Sequence, residues 1–113
     1  MRYEEDAKKL EQKLQVSLEE IIEEAQTNSP SFLEKFQLYY PQFTPTLTEN
    51  YPNLNSRELT LLAYIYLNFS TKEIAEYTFR SYRTIQSQKY ALRKKIGLDS
   101  KEDFYIWLKS IFE

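Results

Sequence analysis

Between Arg80 and Lys95 the chain reads RSYRTIQSQKYALRKK, with six Lys or Arg and no Asp or Glu. Cations gathered this closely attract phosphate oxygens, while Gln86, Ser87 and Tyr90 set among them carry neutral donors and acceptors that can match a base edge. The segment has helical spacing, because Ile85, Leu92 and Ile96 recur along one face. With that face turned to a core, Arg83, Gln86, Ser87, Tyr90, Arg93 and Lys94 point outward. A Gln so placed can pair bidentately with adenine, and Arg83 at the N-terminal end can reach guanine. A helix of about 14 residues is roughly 20 Å long, which suits a major groove. Directly before it, STKEIAEYTF repeats the helical pattern on a smaller scale. Two short helices, the second basic and polar on its outer face, are the parts of a helix-turn-helix DNA reader.

The elements that must hold these residues follow from caps and breakers. Tyr3, Ala7, Leu10, Leu14, Leu18, Ile21, Ile22 and Ala25 keep three- and four-residue steps, which predicts one long amphipathic helix over about 3–26. Ser29 is expected to cap a second helix with Pro30 at its first position and Phe32, Leu33 and Phe36 as its buried stripe. Pro41 and Pro45 are expected to break the pattern at either end of a third element that carries Phe43 and Leu47 and runs to about Asn50. Asn55 with Glu58 forms a capping-box pattern ahead of an apolar face of Leu59, Leu62, Ala63, Tyr66 and Leu67, and Asn68 suits the left-handed conformation that closes a helix. Ser70 with Glu73 is a second capping box, so Glu58 and Glu73 read as structural. Ser81 caps the basic helix and Gly97 stops it. Ser100 with Asp103 opens a last helix holding Phe104, Trp107, Leu108, Ile111 and Phe112.

Composition removes several classes of function. There is no Cys and no His, which takes away thiol nucleophiles, disulfides, the usual general base and the commonest metal ligands. No constellation of carboxylates, Ser, Thr, Tyr or Lys stands out, so neither catalysis nor a cofactor nor a small-molecule ligand is expected. No apolar run approaches a membrane span, and the acidic start is no signal peptide, which fits a cytoplasmic protein. A single Gly, four Pro and no sustained alternation predict an all-α chain, and 42% hydrophobic residues suffice for a core. The net charge of −2 would be unusual for a nucleic-acid binder, but the charge is segregated: residues 1–26 hold eight acids and four bases. Charges more than about 10 Å apart are largely screened at cellular salt, so one surface can still meet phosphates.

With these four C-terminal helices in place, LNSRELTLLAYIYLNFSTKEIAEYTFRSYRTIQSQKYALRKKIGL resembles the LuxR/GerE-type helix-turn-helix. That family reads approximately Leu-Thr-x-Arg-Glu-x-x-x-Leu, Ser-Asn-Lys-Glu-Ile-Ala, Thr-Val-Lys and Lys-Leu-Gly. Here the blocks are Leu54 to Leu62, Ser70 to Ala75, Thr84-Ile85-Gln86 and Lys95-Ile96-Gly97. FLEKFQLYYPQF and YPNLN look like a variant common in Bacteroidetes regulators. The resemblance covers about 54–112 and implies a fold of four helices, here preceded by the long amphipathic helix and two short ones. The expected division is 1–27 for packing or dimerisation, 28–53 as a helical connector and 54–113 as the DNA-binding module. Three departures stand out: Asn68 replaces the family's turn Gly, Thr78 and Arg80 replace apolar turn residues, and Gln86-x-Gln88 replaces Lys-x-His. Either Tyr77 and Phe79 take over the turn packing, or the turn is looser than usual.

By the resemblance, Gln86, Ser87 and Tyr90 fall where family members touch bases, joined by Arg83 from the chemistry above. Lys72 and Thr84 fall where the family contacts phosphates, with Arg80, Lys89, Arg93 and Lys94 as further candidates. Lys95 serves the helix dipole equally well. The family's last helix forms a dimer interface, which makes Phe104, Trp107, Leu108 and Ile111 candidates, beside Leu14 and Ile21 on the N-terminal stripe. The implied function is sequence-specific binding of double-stranded DNA by a homodimer that regulates transcription, often as the C-terminal output module of a larger sensor. Two other readings fit the same residues. One is a helical signalling or protein-interaction module with a degenerate helix-turn-helix, and the other is promoter recognition of the sigma region-4 type, with RNA polymerase as partner.

Overall fold

A computed structural model describes residues 16–112. Among these residues the secondary structure is entirely helical: α1 (Leu18–Gln26), α2 (Phe32–Tyr39), α3 (Phe43–Asn50), α4 (Ser56–Tyr66), α5 (Thr71–Tyr77), α6 (Tyr82–Ile96) and α7 (Phe104–Phe112). The expected all-α architecture is present, and within the described residues no helix is long and apolar enough to cross a membrane.

Several boundaries differ from expectation for local reasons. Ser17 has an extended backbone and its Oγ accepts from the Glu20 N–H at 3.1 Å, so α1 starts at Leu18, and the helix expected over 3–26 is not continuous through Val16 and Ser17. The earlier part of the expected helix, with Leu10 and Leu14, lies outside the described residues. Ser29 and Pro30 form a turn ahead of α2; the Ser29 carbonyl takes the Phe32 N–H at 3.1 Å, and the helix begins at Phe32. Pro45 sits inside the first turn of α3, where its missing N–H has no intrahelical partner to lose. Asp103, not Ser100, caps α7, with Oδ1 accepting from the Ile106 N–H at 2.8 Å.

Both capping boxes form as expected, at Asn55/Glu58 and Ser70/Glu73, and the Ser81 Oγ accepts from the Thr84 N–H. Three helices end in the same way. At α1, α4 and α6 the residue in the left-handed region is Asn28 (φ 53°), Asn68 (φ 65°) and Gly97 (φ 76°). The next N–H reaches back five residues, Ser29 to Glu24, Phe69 to Tyr64 and Leu98 to Arg93, at 2.8–3.2 Å. Asn and Gly tolerate that backbone, and the closure satisfies carbonyls that a helix end would otherwise leave free.

One continuous hydrophobic cluster runs from Ile21 to Leu108 and includes residues of all the described helices. α1 packs on α2, α2 on α4, α4 on α7 and α5 on α6. Phe32 meets Tyr64 at 4.7 Å between ring centroids, Phe36 meets Phe43 at 4.7 Å, and Phe112 of α7 stacks on Phe43 at 5.4 Å. Phe32, Phe36, Phe43 and Tyr64 are therefore core. α4 is buried on more than one stripe, since Leu61, Tyr64 and Ile65 are covered together with Leu59, Leu62 and Ala63. This happens because α2 covers one of its sides and α7 another. The Tyr64 hydroxyl donates to the Ala25 carbonyl at 2.9 Å, and burial pushes it up to about 12.

Candidate nucleic-acid interface

α5 and α6 meet in a tight, closed turn. Thr78 Oγ1 donates to the Ile74 carbonyl at 2.7 Å, and the Arg80 N–H reaches back five residues to the Ala75 carbonyl at 3.0 Å. This is the closure seen at α1, α4 and α6, here with Phe79 in the left-handed position at φ 55°. Tyr77 takes up the turn packing, its ring edge-on to Phe69 at 5.3 Å. Phe79 takes no part in that packing and is 87% exposed. An aromatic residue in this region of backbone space carries strain of about 1–2 kcal/mol.

Ile85, Leu92 and Ile96 are buried, which fixes the rotation of α6. At about 100° per residue, positions 83, 87, 90 and 94 then lie across the helix from the core, with 86 on the flank. Arg83, Gln86, Ser87, Tyr90 and Lys94 are all exposed. The outward set read from the sequence thus shares one face, apart from Arg93. Beside it, between α6 and α4, runs an open groove of about 430 Å³ whose lining includes Arg57, Leu61, Arg83 and Ser87. Arg57 was not among the residues singled out by sequence, because a base at the start of a helix ordinarily reads as a solvated side chain.

The basic residues of the segment divide into two groups. Arg93 is half-buried; its Nη1 donates to the carbonyls of Asp99 at 3.0 Å and Glu102 at 2.8 Å, and its guanidinium lies 5.0 Å from the Phe104 ring centroid. Lys89 is half-buried and donates to Thr71 Oγ1 at 3.0 Å; burial, then the nearby Arg93 charge, pulls its pKa down. Lys95 donates to the Asn53 carbonyl at 2.6 Å and to Glu58 Oε1 at 2.8 Å. Burial pushes the Glu58 carboxyl up, but the Lys95 ammonium and the Asn55 N–H outweigh it, and the group sits below the usual carboxylate range. These three cations join α6 to α7, α5 and α4 respectively. Arg80, Arg83, Lys94 and, on α5, Lys72 are exposed with no ion pair among the described residues. Lys94 lies 4.7 Å from the Tyr90 ring centroid. Thr84 is half-buried, with its hydroxyl 2.8 Å from Ser81 Oγ.

The apolar residues expected at a dimer contact also separate. Ile21, Phe104 and Leu108 are buried in the chain's own core and are closed to a second molecule while the fold is intact. Trp107 and Ile111 are half-buried. Ile106, which the sequence reading passed over, is 67% exposed on α7.

The family profile described as bacterial regulatory proteins, luxR family, matches residues 52–108, the stretch that holds α4 to α6 and most of α7. The oxygen regulatory protein NreC of Staphylococcus aureus, in strains JH9, JH1 and Mu3 alike, is 33% identical over 85 residues. That alignment takes in 74% of this chain and 39% of NreC, so the chain spans well under half the length of these curated relatives. No solved structure gives a significant match. A closed helix-turn-helix, an acid-free second helix and a family match over the same residues lead to one conclusion: the chain belongs to the luxR family of bacterial regulatory proteins and is a DNA-binding module of transcriptional regulation.

Proposed function

We propose that α6 lies in the major groove of double-stranded DNA, with Arg83, Gln86, Ser87 and Tyr90 at base edges and Lys72, Arg80, Thr84 and Lys94 at phosphates. The observation that carries this reading is the fixed rotation of α6: burial of Ile85, Leu92 and Ile96 turns the polar, acid-free face outward. Lys89 and Arg93 hold α6 against its neighbours and act on DNA only through its position. The hydrogen-bonded turn at Thr78 and Arg80 supports a working helix-turn-helix over a degenerate one. A cytoplasmic homodimer on two half-sites completes the reading, with the outer face of α7 around Ile106 and Trp107 as the contact. NreC is named an oxygen regulatory protein, and a module of this kind at the output end of a longer sensor chain suits the partial coverage.

Gln86 gives the test. Its loss removes a bidentate partner of one adenine and should cost about 1–3 kcal/mol at one base pair. Gln86→Ala leaves charge and core untouched, and Ala is the better helix former. The expected result is a drop in the ratio of specific to random-duplex affinity at one salt concentration, with an unchanged melting curve. A ratio equal to wild type would require α6 to dock on another face.

A further inference from the structure

We propose that Phe79 is itself a DNA contact: flanked by Arg80, Tyr82 and Arg83, it packs on the sugar–phosphate backbone beside the groove that α6 enters. Of the four helix ends closed by a left-handed residue among the described residues, three carry Asn or Gly and only this one carries an aromatic side chain. The hydrogen bonds of the closure come from backbone alone, so they would form equally well with Asn or Gly in place of Phe79. The ring does not repay its awkward backbone by packing inward, because it is 87% exposed and Tyr77 fills the turn. Its side chain therefore has no packing role among the described residues.

The surroundings indicate the occupant. Arg80 and Arg83 are exposed and free of ion pairs among the described residues, Tyr82 is 52% exposed, and no acid occurs from Tyr77 to Leu98. Arg83 belongs both to this patch and to the outward face of α6. An apolar ring bracketed by cations matches a deoxyribose flanked by phosphates, whereas an apolar protein surface would leave both guanidinium groups without partners. The inference rests on the docking of α6 proposed above.

The contact has a signature different from that of a base reader or a phosphate cation. It carries no charge and meets no base edge. Phe79→Gly and Phe79→Asn should each weaken specific and random duplexes alike by about tenfold, equivalent to about 1.4 kcal/mol, or about half the effect of burying a whole Phe side chain. The specific-to-random ratio and the slope of log K against log salt should stay at their wild-type values. Both variants should melt at or above the wild-type temperature, since either residue takes the left-handed backbone more readily. Phe79→Tyr, which keeps the ring, should bind like wild type. Wild-type DNA affinity in the Gly and Asn variants would overturn the proposal and leave the α6 reading standing. A marked drop in melting temperature would overturn it too, by giving the ring a structural role. A wild-type chain that binds no duplex at all would end both readings together.

Discussion

Arg93 is the residue for which a charge count and the structure part most sharply, and its replacement separates the two. If Arg93 were a phosphate contact, Arg93→Ala would reduce the magnitude of the salt slope by about 0.9 and leave stability alone. The geometry argues for the reverse. Its Nη1 holds two backbone carbonyls, of Asp99 and Glu102, and these fix the loop that leads α6 into α7. Hydrogen bonds from a charged donor contribute about 1.5–3 kcal/mol when buried, but these are exposed to solvent and merit roughly a third of that each. The contact with Phe104 adds about 0.5–1 kcal/mol, and the greater helix propensity of Ala returns a few tenths. The expected loss for Arg93→Ala is about 2 kcal/mol, or a fall in melting temperature of about 8–15 °C for a chain of this size. Arg93→Lys should lose about half as much, because a single ammonium cannot bridge two carbonyls and lie along the ring together. The assay pairs thermal and urea melting with DNA binding at several salt concentrations well below the variant's melting temperature. Lys94→Ala serves as the complement: Lys94 is exposed on the outer face and should lower the slope by about one without moving the melting curve. A stable Arg93→Ala protein with a flattened salt slope would refute the assignment and return Arg93 to the interface.

Two further predictions concern the packing of α1 and α2. Tyr64→Phe keeps the ring against Phe32 but removes the hydroxyl from the Ala25 carbonyl, so urea denaturation should show a loss of about 1 kcal/mol with unchanged DNA affinity. An unchanged midpoint would mean that water replaces the bond at no cost. Glu24 is held at about 2, below its ordinary 4.5, first by the hydrogen bond from Lys35 at 2.6 Å and then by Ser29 and Ser31. A depressed carboxylate contributes stability that is fully present above pH 4.5 and is lost as pH falls towards 2. Acid unfolding should therefore be less steep over that interval in Glu24→Gln, which is expected to be less stable at neutral pH; parallel acid curves would dismiss the pairing as a source of stability.

Local chemistry made most of the fold legible. The capping boxes at Asn55/Glu58 and Ser70/Glu73, the Ser81 cap, the left-handed Asn68 and the Gly97 stop each depend on residues within five positions, and each appears as read. The readings that failed are those in which two local signals compete. Ser17 lies within an unbroken apolar periodicity, yet its hydroxyl takes the Glu20 N–H and starts a helix there. Pro45 reads as a breaker until its position is counted from Phe43, which places it in a first turn that has no hydrogen bond to lose. Ser100 and Asp103 both suit a cap, and Asp103 takes the role; the chain before it is held in a turn by the Lys101 N–H on Asp99 Oδ1 and by Arg93 at the Asp99 and Glu102 carbonyls.

The candidate interface was legible as a face but not as a list of charges, for a physical reason. Which side of α6 looks outward follows from three apolar residues and the helical repeat alone. Where a long cation ends depends on partners far away in sequence: Lys95 reaches Asn53 and Glu58, and Lys89 reaches Thr71. Half of the six cations between Arg80 and Lys95 thus secure the helix to its neighbours, and the other half, Arg80, Arg83 and Lys94, stay exposed with no ion pair among the described residues. This division also bears on the net charge of −2. A chain in which one such cation, Lys95, neutralises a carboxylate of its own, Glu58, can be acidic overall while the outward face of α6 holds no acid. Phe79 illustrates the opposite limit. Its neighbours in sequence suggest a packing residue, and only the backbone it adopts and the solvent around it reveal a side chain that takes no part in the packing of the described residues.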